Sequence, residues 1–445
     1  MQSERVGFVK DKVSLTPFSD MIRMFIDLRN TNLAPMINHA VDVAKISSLI
    51  MKRIKPFESV SPIYISGLFH DIGLVVYSEI VAPEEIAKLS EDSSYSLSAL
   101  LYRIDRDMYH AIFSTRIVEK LGILPEKYLN ALKQHHEPLS EMMGDDDEIL
   151  ISSILNVADA ISVIIRDTKS DLVEIVNRID RLLVNHKMHH EVRAAARDLL
   201  KSYVEMSYVF DHDSMIDEFC GTPIHVDINQ FVEALKTLVL LVDLQSPFTV
   251  KHSSSIAALA RDIAAEMFKN KFDSLVMYIA GLIHDIGKLR TPVEILHKPG
   301  RLNKSERYVM NLHVSNTFKL LSKYSNLDEF AAIASLHHER LDGSGYPWGL
   351  KGNEMGIRAR ILQVADVFTA LTEDRPYRKG MMGKDSLKII EDEVNKGRLD
   401  GDVYEVLKEM VKNGYRMSKN EVVFIEFFGD MDEYDAVRKI LERVS

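Results

Sequence analysis

The chain has 445 residues, a net charge of −11 and 46% hydrophobic residues. That length allows two or three domains of roughly 100–200 residues each, and the apolar content excludes a disordered tail. The acidic balance argues against a general nucleic-acid surface, so no DNA partner is expected, and any phosphate-bearing ligand would need locally placed cations.

One cysteine, Cys220, rules out an intramolecular disulfide and fits a reducing cytoplasm. The N-terminal stretch "MQSERVGFVKDKVS" lacks the apolar core of a signal peptide. No run of about 18 uncharged apolar residues occurs, so no membrane span is expected. The expected location is the cytoplasm.

In chain order, the first informative feature is "LFHDIGLVVY" (Leu68–Tyr77), and its tetrapeptide returns in "LIHDIGKLRT" (Leu282–Thr291). The histidines around them repeat too. Ten of the 16 fall into two series, His39, His70-Asp71, His110, His135-His136, Asp159 and then His252, His284-Asp285, His313, His337-His338, Asp366. The first steps are 31 and 32 residues and the third are 25 and 24, which points to an internal duplication. The second steps are 40 and 29, and the surplus falls on "SEIVAPEEIAKLSEDSSYSLS", read as an insertion. The last steps are 23 and 28, the longer one holding "LDGSGYPWGLKGNEM".

The segments carrying these residues read as helices. "DSLVMYIAGLIHDIGK" sets Leu275, Tyr278, Ile279 and Leu282 on one stripe, and "DEFAAIASLHHER" and "GIRARILQVADVFTALTED" keep the same period. Strand signals are few, the clearest being "VVFIEFF" (Val422–Phe428). The expected fold is all-α, two tandem helical bundles each with a site in its core, followed by a short α/β-like tail. The expected domains are residues 1–207, a linker at 208–228 around Gly221 and Pro223, 229–415, and an extension at 416–445. "HKMHH" (His186–His190) lies outside both series and reads as a solvated helix face.

Five histidines and two aspartates in order are hard to explain by packing. Neighbours on a helix point about 100° apart, so His337 and His338 suit a wide site or a helix end. An Asp directly after a His, as in His284-Asp285, suits two ions, the imidazole binding one and the carboxylate bridging to the other. Imidazole with carboxylate and no thiolate suits Fe, Mn, Co, Ni or Zn. "ADVFTALTEDRPYR" puts Arg375 and Arg378 beyond Asp366, and guanidinium groups grip phosphate oxygens in a fork. Lys288, three residues after Asp285, can reach a phosphate beside the metals.

The second half resembles an HD-GYP domain, the cyclic-dinucleotide phosphodiesterase branch of the HD phosphohydrolases. The match runs from about Asn229 to Gly414 through "SPFTVKHSSSIAALA", "GLIHDIGKLRTPVEILHKPGRL", "HHERLDGSGYP" and "ADVFTALTEDRPYR". The resemblance implies a bacterial second-messenger enzyme that opens a 3′,3′-cyclic dinucleotide, cyclic di-GMP or cyclic GMP-AMP, to a linear 5′-phosphorylated dinucleotide with a metal-held hydroxide. It assigns His252, His284, Asp285 and Asp366 to one ion, and Asp285, His313, His337 and His338 to the other, with Fe(II) or Mn(II) favoured. Asp285 and Lys288 are the expected catalytic residues. Lys288, Arg375, Arg378, Gly345 and Tyr346 are the expected substrate contacts. A homodimer or a signalling-protein partner is also expected. Two positions depart from the family. Phe248 stands where some members have a Glu for a third metal, so two ions are expected, and Thr369 replaces a common Asp.

The first copy keeps all seven candidate ligands, His39, His70, Asp71, His110, His135, His136 and Asp159. It has Leu74 in place of the lysine and no GYP loop. In its place "HHEPLSEMMGDDDE" carries Asp145, Asp146, Asp147 and Glu148, which would repel a polyphosphate if they line a mouth. "YHAIFSTRIVEKLGILPEKYLNALKQHHEP" resembles the regulatory HDOD-type relatives. The first domain is therefore expected to be regulatory or structural with metal retained; a second phosphohydrolase, a 5′-nucleotidase acting on the linear product, is the alternative. For the whole chain the rival from another class is a non-catalytic dinucleotide-binding signalling module.

Overall fold

The computed structural model describes residues 18–28, 31, 33–74, 109–166, 171–210, 226–244, 251–296, 298, 300–324, 327–373, 379–416 and 422–428. The insertion expected after Ser78, most of the linker, Phe248, Arg375, Arg378 and the end of the C-terminal extension lie outside them. Two compact units, Leu15–Gln230 and Phe231–Ser445, divide the chain.

The first unit contains α1 (Phe18–Asp27), α2 (Ala34–Ile54), α3 (Ser61–Phe69), α4 (Tyr109–Leu121), α5 (Glu126–Lys133), α6 (Asp146–Ile165), α7 (Leu172–Asn185), α8 (His190–Lys201) and α9 (Tyr203–Phe210). Helix α2 is the central rod. It packs on α3, α6 and α8, and it is buried almost continuously from Met36 to Met51, as expected of a helix surrounded by others. Helix α6 is long and apolar enough to cross a membrane by length and composition alone, but most of it is buried among its neighbours. It carries the ionisable Asp159 into that interior.

The second unit repeats the plan with α10 (Ile228–Asp243), α11 (His252–Phe268), α12 (Lys271–Ile283), a 3-10 turn (Ile286–Arg290), α13 (Val293–Leu296), α14 (Lys304–Leu321), α15 (Asp328–Ala334), α16 (Ile357–Thr372), α17 (Gly383–Asn395), α18 (Gly401–Lys412) and α19 (Val423–Phe428). Helix α11 takes the place of α2 and packs on α12 and α16. No strand occurs among the described residues; an isolated bridge joins Asp342 and Lys351.

One expectation is corrected here. Val422–Phe428 is not a strand: α19 is helical, so the α/β-like character of the tail is absent from its described part. An apolar run of seven residues has no decisive period. Val423 and Phe427, one turn apart, are both buried, and Glu426 reaches Lys236 at 2.5 Å. The Val423 N–H donates to Ser254 Oγ at 3.0 Å.

Candidate metal centres

Both units bring their histidine series together by one local device. Helices α3 and α12 stop at the HD pair, with His70 and His284 as C-caps. The last carbonyls of a helix lack an amide partner, and the imidazoles take them up. His70 Nδ1 bonds Gly67 O at 2.7 Å and His284 Nδ1 bonds Gly281 O at 2.8 Å. His135 and His337 lie just past the ends of α5 and α15 and repeat the contact with Leu132 O (2.6 Å) and Ala334 O (2.7 Å). His313, within α14, does so with Met310 O at 2.7 Å. With Nδ1 anchored, Nε2 of each ring faces the interior of its unit.

The glycine of the tetrapeptide allows α4 in the first unit and α14 in the second to close in. A Cβ on Gly73 would fall 2.1 Å from His110 O, and one on Gly287 would fall 2.0 Å from His313 O. Only a residue without a side chain fits there. The same glycines donate their N–H to Ser114 Oγ (2.8 Å) and Thr317 Oγ1 (3.0 Å), which fixes α4 and α14 against the HD turn.

In the second unit the Asp285 carboxylate is divided between two groups. Its Oδ2 lies 3.1 Å from His284 Nε2, and its Oδ1 lies 3.3 Å from His313 Nε2 and 4.0 Å from His337 Nε2. His338 Nδ1 is 3.7 Å from Asp366 Oδ2. Three sets of donor atoms gather closely enough for an ion: His252, His284 and Asp366; His313, His337 and His338; and His284, Asp285 and His337. The first unit matches. Asp71 Oδ2 faces His70 Nε2 at 3.3 Å, while Oδ1 faces His110 at 3.5 Å and His135 at 3.7 Å. Its groups are His39, His70 and Asp159, and Asp71, His110, His135 and His136.

These donors fit divalent metal. Ligands about 2.1 Å from an ion lie roughly 3 to 3.5 Å from one another, and the donor pairs here lie between 3.1 Å and 4.0 Å. Among the described residues, His284 Nε2, Asp285 Oδ1, His135 Nε2 and Asp71 Oδ1 are buried with no hydrogen-bond partner of good geometry, an arrangement that is costly unless something else satisfies them. The electrostatics suit cation binding as well. Burial above all, then His284, holds the His337 imidazole down at about 3, so its lone pair stays available. Burial would raise the Asp285 carboxyl, but His284 and Lys288 hold it well below the carboxylate range. In the first unit burial works against a charged His70, yet Asp71 carries it up to about 9, so there a proton would compete with a metal ion for the ring.

The expected substrate contacts fall as follows. The Lys288 ammonium lies on Asp285 Oδ2. Tyr346 sits against His338, ring centroids 4.9 Å apart at 36°, and its N–H donates to His338 O at 3.2 Å. Gly345 packs on the backbone of Glu339 and Arg340. Further along the same loop, and outside that set, Trp348 meets the edge of Phe318 at 5.6 Å.

The acidic run of the first unit is engaged in a helix cap and in ion pairs. Asp145 and Glu148 form a reciprocal cap at the start of α6, with Glu148 N donating to Asp145 Oδ1 at 2.9 Å and Asp145 N to Glu148 Oε2 at 3.1 Å. Asp147 pairs with Lys55 (2.6 Å) and Lys127 (3.0 Å). "HKMHH" is not a helix face: His186 ends α7, bonding Asn156 Oδ1 at 2.8 Å, and His189 begins α8.

Three residues in this region were not singled out from the sequence. Glu339 is fully buried, and its carboxylate accepts the N–H of Trp348 (2.7 Å), Gly349 (3.2 Å) and Leu350 (3.0 Å). Its position directly after the candidate ligands His337 and His338 was the available signal. Glu373 accepts from His252 Nδ1 at 2.8 Å; seven residues from Asp366, it follows two helical turns on. Asp243 accepts from Ser253 Oγ at 2.6 Å. Burial, reinforced by Asp285, raises its carboxyl to about 8.

Comparison with known proteins places this chain in a class. Two family models described as HD domain match residues 36–164 and 236–403. The chain is a tandem HD-domain protein. Among its relatives, the 3′3′-cGAMP-specific phosphodiesterase 1 of Vibrio cholerae is 28% identical over 80% of this chain and 83% of that protein. A cyclic di-GMP phosphodiesterase of Thermotoga maritima is 32% identical over 54% of this chain and 65% of its own length. The crystal structure of the V. cholerae cyclic GMP-AMP specific phosphodiesterase V-cGAP3 superposes with a TM-score of 0.58 at 19% identity, covering 90% of this chain and 99% of that one. It shares the fold.

Proposed function

We propose that the second unit is a metal-dependent phosphodiesterase that opens a 3′,3′-cyclic dinucleotide, cyclic GMP-AMP or cyclic di-GMP, in the cytoplasm. The observation that carries this reading is the Asp285 carboxylate, turned with one oxygen to His284 and the other to His313 and His337. The relatives named for these two substrates support it.

His252, His284, Asp285 and Asp366 would hold one ion and Asp285, His313, His337 and His338 the other, Fe(II) or Mn(II) being favoured. Such a pair supplies Lewis-acid charge against a phosphate and lowers the pKa of water. The chain's own residues do the rest. Lys288 leaves Asp285 for a phosphate oxygen and offsets charge that grows as the bond breaks. Arg375 and Arg378 grip the phosphates bidentately. Gly345 and Tyr346 shape the wall beside His338. Water adds across one P–O3′ bond, leaving a free 3′-hydroxyl and a 5′-phosphate on a linear dinucleotide.

The first unit has the same donor set with Leu74 where the second has Lys288. That combination supports a metal-holding regulatory or structural domain. A phosphomonoesterase, needing less grip on its substrate, is the second reading.

The test is product analysis. Full-length protein, loaded anaerobically with Fe(II) or Mn(II), is incubated separately with each cyclic dinucleotide. The expected product is a linear dinucleotide one water heavier than the ring. Intact rings with every metal would reject the catalytic reading in favour of a binding module.

A further inference from the structure

The two units hold the first histidine of their series differently. The rings of His70, His135, His284, His313 and His337 are all anchored through Nδ1 on the carbonyl three residues earlier. His39 and His252 are instead held by side chains at or just past the helix that carries the ligand aspartate. His39 Nδ1 lies 2.9 Å from Ser162 Oγ, three residues after Asp159. His252 Nδ1 lies 2.8 Å from Glu373 Oε2, seven residues after Asp366. The seventh position after Asp159 is Arg166, which pairs with Asp42 at 2.6 Å and donates to Asn38 O at 2.7 Å. The duplicated sites have therefore diverged at this contact, a neutral hydroxyl in one and a carboxylate in the other.

We propose that Glu373 is a positioning residue for the ion at His252, His284 and Asp366, and that its carboxylate makes this site bind metal more tightly than a neutral partner would. The inference rests on the metal-site reading above. A carboxylate on the remote N–H fixes the tautomer, so that Nε2 carries the lone pair, and it raises the basicity of the ring. A hydroxyl fixes the ring without adding charge. Glu373 is mostly buried, its side chain 12% exposed, so water does little to weaken its effect on the imidazole.

The test uses the full-length chain with His70→Ala and Asp71→Ala as parent, which removes the first unit's central ligands. Co(II) affinity is measured by competition with a chelator, with the visible absorption of bound Co(II) as a second readout. Glu373→Gln keeps the shape and removes the charge. We expect one ion per chain to be bound about 10–100-fold more weakly, the other to be unchanged, and the cobalt spectrum to shift. Glu373→Ser should weaken the same ion. Affinities within twofold of the parent would overturn the inference. So would equal weakening of every ion together with a lower melting temperature of the metal-free protein, since that marks a structural prop. A parent that takes up no Co(II) would overturn the metal-site reading itself, and this inference with it.

Discussion

A Cβ built on Gly345 would lie 2.4 Å from the Cα of Glu339, so the two residues pack only because Gly345 has no side chain. Glu339 in turn collects three backbone N–H groups from Trp348 to Leu350. The loop is thereby closed around the residue that follows His338. Replacing Gly345 by Ala should displace the loop, and Tyr346 with it, from the His337–His338 pair. We expect turnover of the cyclic dinucleotide to fall about tenfold or more, because orientation supplies much of a catalytic rate. The metal content, measured by elemental analysis, should be unchanged. A variant with normal turnover would separate the loop from catalysis.

Lys288→Ala should lower kcat by about 10²–10³, the usual effect of removing a charge aimed at a developing oxyanion. Bound metal should stay at the parent level. Loss of the metal would instead make Lys288 a structural partner of Asp285, the contact it makes here.

Asp243 gives a pH signature in the metal-free protein. Its folded pKa is raised from 3.8 to about 8, by burial first and then Asp285. Between those values the folded protein keeps a proton that the unfolded chain has released. Stability therefore falls as pH rises through that window. Asn cannot ionise, so Asp243→Asn should melt higher than the parent near pH 8, with the gap closing toward about pH 4. Thermal melts of both proteins across this range decide it, and a pH-independent gap would show that Asp243 does not titrate this way.

The order of the histidines was legible because duplication preserves chain order even when loops change length. Their placement at helix ends was also within reach, since His337 and His338 could not both face inward from a continuous helix. Less was legible where a side chain chooses a distant partner. Spacing alone does not say that His252 is held by Glu373 while His39 is held by Ser162. The Asp145–Glu148 cap could have been found, because Asp-x-x-Glu before an apolar run marks a helix start. Val422–Phe428 was misread because a short apolar run fits either period, and contacts to Ser254 and Lys236 decide it.

The central claim is that ring opening belongs to the second unit and not to its duplicate. Two full-length double variants test it side by side in one assay with metal-loaded protein: His284→Ala with Asp285→Ala, and His70→Ala with Asp71→Ala. We predict that the first pair abolishes conversion of the cyclic dinucleotide to its linear form, while the second leaves that step close to the parent rate. Near-normal ring opening by the His284/Asp285 variant, or its loss in the His70/Asp71 variant with the metals of the second unit retained, would contradict the account.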